Sequence, residues 1–236
     1  MITWLPFISC IVTFVFAAFV FRRYLARRGP HLLLWGIGIV FYGIGSFCEA
    51  YYAAFGWNPL IFRLWYLFGA ILVAAWLGQG TVYLLVRQKW ATVLMVLLAL
   101  GSLYSLIRVF GAELDPSLMI ANARGSGELN GYAIVTPGVR TLTPFFNVYG
   151  TVTLVGGAVY SAWLFWRKRV LLHRTIGSIL IACGALLPAL GGTFSRLGLP
   201  GGLYLSELLG AVLMLAGFIR ATTPIQQPSK ESITPS

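Results

Sequence analysis

The chain has 236 residues, of which 58% are hydrophobic and 10% charged, and it carries a net charge of +11. No soluble domain buries so large an apolar share, so composition excludes a water-soluble globule and points to a polytopic membrane protein. The positive charge is segregated along the chain rather than scattered, so it calls for lipid and not for nucleic acid as its partner.

Seven apolar runs approach the ~20 residues that cross the hydrocarbon of a bilayer. They cover about 3–22, 32–55, 59–86, 90–110, 143–166, 175–195 and 201–220, and are called spans 1 to 7. The expected fold is therefore an all-α seven-helix bundle over residues 1–222, followed by a Pro/Ser-rich, disordered tail at 223–236. Twelve Lys and Arg residues and one acid, Glu231, fall on the side that follows spans 1, 3, 5 and 7. The other side and its helix ends hold five arginines and five acids. Basic residues favour the cytoplasmic side, which predicts an outside N-terminus, a cytoplasmic C-terminus and anionic lipid against the basic face. The expected location is the bacterial plasma membrane.

Span 1 has no basic residue before its apolar run and ends in Arg22-Arg23, so it reads as a retained anchor rather than a cleaved signal. His31 stands at the start of span 2 as a wetted helix end. Gly36, Gly38, Gly43 and Gly45 form a small-residue seam, and Glu49 lies late in the same span beside Tyr51 and Tyr52. The link Gly56-Trp57-Asn58-Pro59 supplies an N-cap and a first-turn proline for span 3. Arg63, Trp65 and Tyr66 open that span. A charge at membrane depth is expensive, so Arg63 is expected either to snorkel to the headgroups or to pair with Glu49 or Glu207.

Span 4 carries little but Arg108. Residues 111–142 form the one long connection, in which Asn130-Gly131 is a hairpin-turn pair flanked by GEL and YAIV. A two-stranded lid or an ordered loop is expected there. Span 5 holds Asn147 and the small residues Gly150, Gly156 and Gly157. Pro188 should kink span 6, and Glu207 lies two turns into span 7. A shift of 141 residues superposes Gly177 on Gly36, Gly184 on Gly43, and Leu208-x-Gly210-Ala211-x-Leu213 on Leu67-x-Gly69-Ala70-x-Leu72. That pattern implies a 3+1+3 repeat with span 4 as the linker.

Catalytic and cofactor signals are missing from the sequence. His31 and His173 both lie at cytoplasmic ends, the three cysteines have no metal-site spacing, and no lysine lies within a span to hold retinal. No Lys-Ser/Thr phosphate loop is present. Neither enzyme activity nor a cofactor is expected. The remaining constellation is Glu49, Arg63, Tyr66, Arg108, Asn147, Arg196 and Glu207, all in the outer third, as the lining of an outward-facing ligand pocket or as a helix-locking ion network.

The runs LWGIGIVFYGIGSFCEA and FRLWYLFGAILVAAWLGQGTVYLL resemble a group of seven-span bacterial membrane proteins of uncharacterised function, and GTVTLVGGAVYSAW of span 5 fits the same group. Spans 2 and 3 are more distantly similar to the seven-span sensing region of bacterial histidine kinases, with Trp35 and Glu49 at the matching positions. That likeness implies a sensor, which without a kinase domain of its own would act through a cytoplasmic effector protein. The expected function is thus a receptor-like module binding a small ligand or partner from outside. A small-solute or lipid transporter and a structural membrane protein are the alternatives.

Overall fold

A computed structural model describes residues 4–122, 128–167, 172–196 and 201–222, without the side chains of 172, 173 and 192–196. Seven of its helices are long and apolar enough to cross a membrane. They run Leu5–Arg27, Pro30–Phe55, Pro59–Leu85, Gln88–Phe110, Leu142–Arg167, Leu172–Arg196 and Gly202–Thr222. Each expected span is thus a helix, with ends within a few residues of those read from hydropathy. The tail at 223–236 lies outside the described residues.

Sequence punctuation sets the helix ends. Pro30 and Pro59 stand in the first turns of spans 2 and 3. The Asn58 side chain accepts hydrogen bonds from the amides of Leu60 (2.9 Å) and Ile61 (3.2 Å), which span 3 would otherwise leave unpaired. Asn58→Ala should cost about 1 kcal/mol, read as a lower melting temperature in detergent. An unchanged melting temperature would mean that water serves those amides equally well.

Spans 1, 2, 3, 5, 6 and 7 pack in that order into a closed ring, span 7 returning to span 1, and span 4 lies outside the ring against span 3. Spans 6 and 7 approach backbone to backbone. A Cβ on Gly184 would lie 2.8 Å from the Gly210 carbonyl oxygen, and one on Gly177 would lie 2.7 Å from that of Gly217. Lipid gives apolar side chains no reason to leave it, so close backbone packing of this kind is what holds such helices together. The glycines that align under the 141-residue shift have different neighbours. Gly36 and Gly43 meet the rings of Phe21 and Phe14 in span 1, whereas Gly177 and Gly184 meet glycines of span 7.

One end of the bundle carries the long connection and the other the arginine-rich links; these are the loop end and the basic end below. Within the connection, Pro116–Asn122 is a short helix, opened by Asp115. Its carboxylate accepts from the Ser117 hydroxyl and amide, which hold Asp115 below the usual carboxylate range. Asn130-Gly131 does not turn a hairpin. The Asn130 side chain accepts from the Tyr132 amide and starts a 3-10 turn over Gly131–Ala133. The YAIV segment pairs instead with residues 113–115, through Asp115 N to Ala133 O (2.8 Å) and Val135 N to Glu113 O (3.0 Å). An asparagine that bonds the amide two residues on serves a cap as well as a turn, and the partner strand is decided by tertiary packing. Met119, Leu129, Ala133, Ile134 and Val139 are buried in one cluster with Phe62, Trp65, Tyr66 and Leu67, so the described residues of the connection form a packed roof on span 3.

Candidate functional site at the loop end

The central feature is a cavity of about 900 Å³ inside the ring at the loop end. Span 3 contributes Trp65, Tyr66 and Gly69, span 5 Thr143, Asn147 and Thr151, span 6 Pro188, and span 7 Glu207. The connection roofs it with Asn130, Tyr132 and Arg140. Its size falls within the ~300–1,000 Å³ of small-molecule sites.

Local backbone geometry in span 3 shapes this space. Trp65–Leu72 is π-helical, a wider turn that rotates the side chains beyond it relative to a regular helix. Gly69 lies against Gly45 of span 2, where a Cβ would meet backbone at about 3 Å. This close approach brings the Trp65 indole to Glu49, donating from Nε1 to Oε1 at 2.9 Å. On the cavity side, Asn147 donates from Nδ2 to the Ala70 carbonyl at 3.2 Å, and the Thr143 hydroxyl bonds the Tyr66 hydroxyl at 2.9 Å. Both contacts join spans 3 and 5 through polar groups.

Glu49 is 1% exposed and lines a smaller space of about 80 Å³ that shares Glu207 and Pro188 with the large cavity. Glu49 and Glu207 both line this space, and the buried Oε2 of Glu49 has no hydrogen-bond partner among the described residues. Tyr42 donates to the Glu207 backbone carbonyl at 2.7 Å, tying span 2 to span 7 beside the pair.

Arg63 does not form the ion pair anticipated with Glu49 or Glu207. It donates from Nη2 to the carbonyl of the buried Ala112 at 3.0 Å. That carbonyl follows the C-terminus of span 4, the negative end of the helix dipole. Arg108 bonds the Pro137 carbonyl at 2.8 Å on the exposed side of the connection. Both arginines brace the roof from beneath and beside it, and neither lines the cavity. The Arg196 side chain lies outside the described residues. Of the seven residues singled out from sequence, Tyr66, Asn147 and Glu207 line the large cavity, and Glu49 adjoins it through Glu207.

Sequence reasoning passed over Arg140, whose guanidinium sits 4.2 Å over the Tyr132 ring at the cavity wall, a cation–π contact. The dipeptide spacing gives no hint of it, since the two residues meet only once the connection has folded. Gln79, deeper in span 3, does not line the cavity. It donates to the Ala91 carbonyl of span 4 at 2.8 Å and accepts from the Tyr149 hydroxyl, clamping three helices. Among the described residues, no group of three His, Cys, Asp or Glu side chains is placed to hold a metal ion. The arrangement offers binding: an aromatic wall, hydroxyl and amide groups, a cation at the roof and one acid, Glu207, in the wall. No known protein family, curated protein or solved structure matches this chain.

Proposed function

We propose that this chain is a receptor-like membrane module whose loop-end cavity binds a small polar or amphipathic ligand. The observation that carries the reading is a ligand-sized space with mixed polar and aromatic walls under a packed roof. The charge asymmetry supports an orientation in which the loop end faces outward and the basic end faces the cytoplasm of a bacterial cell. In that orientation the ligand arrives from outside, and a separate cytoplasmic effector reads the bundle's response at the basic end. Glu207 in the wall favours a ligand with a hydrogen-bond donor or an amine, and Arg140 at the roof favours an acceptor or acid at its other end.

One observation favours transport as the second reading. Another cavity opens at the basic end, and Leu154 lines both it and the small space beside Glu207, so a thin apolar layer divides the two sides. Pro188 in span 6 and the π-helical stretch of span 3 are places where helices bend.

Thermal shifts of the purified protein with a panel of amino acids, amines and short organic acids test the first reading. A ligand should raise the melting temperature of the native chain, and Thr151→Phe, which fills the cavity, should weaken its binding at least tenfold. A ligand that binds Thr151→Phe as well as the native chain would place the site elsewhere. Accumulation of the same ligand in liposomes would decide for transport.

A further inference from the structure

The basic-end cavity is independent of the site above. It measures about 570 Å³ and its interior is apolar, with Leu85, Leu154, Ile181 and Phe218 among its walls. Its rim is cationic: Arg23 and Arg27 of span 1 and Arg174 of span 6 all line it, and no acid does. Arg23 is half-buried, so it does not extend freely into solvent as a snorkelling side chain would. None of these three guanidiniums donates a hydrogen bond to another described group. Three like charges converging on one opening repel one another, and an anion placed among them removes that repulsion and takes up their free donors. An anion alone would leave the apolar interior unused. A molecule with an acid head and a hydrocarbon tail satisfies both halves.

We propose that this cavity binds an acidic amphiphile, its phosphate or carboxylate head among Arg23, Arg27 and Arg174 and its acyl tail in the apolar interior. General attraction of anionic lipid to a basic face needs only the charges. A seated tail needs the cavity as well, and this separates the two.

Native mass spectrometry of the detergent-purified chain, with phosphatidylglycerol, phosphatidylcholine, oleate or inorganic phosphate added, makes the comparison. One phosphatidylglycerol or one oleate per chain should be retained at least tenfold better than phosphatidylcholine or phosphate. The stronger of the two acids identifies the source as membrane lipid or free fatty acid. R23Q/R174Q should lose the preference for the acid head. S161F keeps every arginine but occupies the interior, since Ser161 lines it, and it should lose retention altogether; S178L is the milder filling variant and should weaken it. Equal retention of phosphatidylglycerol and phosphatidylcholine would overturn the proposal. So would full retention by well-folded S161F and S178L, or inorganic phosphate displacing the amphiphile as effectively as a second amphiphile does.

Discussion

Replacing Gly150 by leucine should leave little folded protein, whereas the same change at Gly156 should be tolerated. A Cβ on Gly150 would lie 2.6 Å from the Ala75 amide nitrogen and would overlap the Ala74 carbonyl. The obstacle is backbone, which has no rotamer to give way, so spans 3 and 5 would have to move apart. Gly78, one turn along span 3, meets the carbonyl oxygen of Gly150 at the same crossing, and a Cβ there would overlap the Thr153 hydroxyl. Overpacking a well-filled core costs about 1–3 kcal/mol when side chains adjust, and a backbone clash lies at or beyond the upper figure. Separation would also break the Asn147–Ala70 and Tyr149–Gln79 bonds between the same two helices. At Gly156 nothing lies within 4 Å, and there a leucine gains helix propensity of roughly 0.5–1 kcal/mol over glycine. Fluorescence-detected size exclusion and melting in detergent read both variants. A native-like melting temperature for Gly150→Leu would refute the backbone contact.

Glu49→Leu should destabilise the fold by about 1–3 kcal/mol, and its effect should be strongly non-additive with Glu207→Leu. The single change leaves the buried Trp65 indole N–H without its acceptor and alters the small space that Glu49 shares with Glu207. Both side chains line one small space, so a leucine at one position changes the room and surroundings that the other replacement meets. Glu49→Gln keeps an acceptor for Trp65 and should cost less than Glu49→Leu. Glu49→Leu and Arg63→Gln should be additive, since Arg63 bonds the Ala112 carbonyl instead. Chemical denaturation of the four proteins of each cycle measures the coupling. Strong coupling of Glu49 to Arg63, with none to Glu207, would reverse the assignment.

Seven helices and their limits followed from the sequence by itself. Crossing hydrocarbon requires a minimum length of apolar chain, a one-dimensional property that hydropathy reads directly. Asn58 and Pro59 act within one turn of their own helix, so the start of span 3 was equally legible. Depth was legible too: Tyr66, Asn147 and Glu207 were placed near one end of the bundle by counting residues, and there they line one cavity.

The facing of each helix was decided only by the tertiary structure. In water the buried face of a helix is apolar and the other polar, so its direction shows in the sequence. Here lipid-facing and core-facing sides are both apolar, as in span 4, where Leu97 and Leu100 are exposed and Leu98 is buried. Gly150 and Gly156 therefore look alike in sequence, although one is a helix crossing and the other open surface. Arg63 and Glu49 share a depth yet point to different neighbours, because a carbonyl at the end of span 4 reaches Arg63 first and the π-helical turn brings Trp65 to Glu49. The two cavities exist only between helices, as products of rotation and spacing that no single segment encodes.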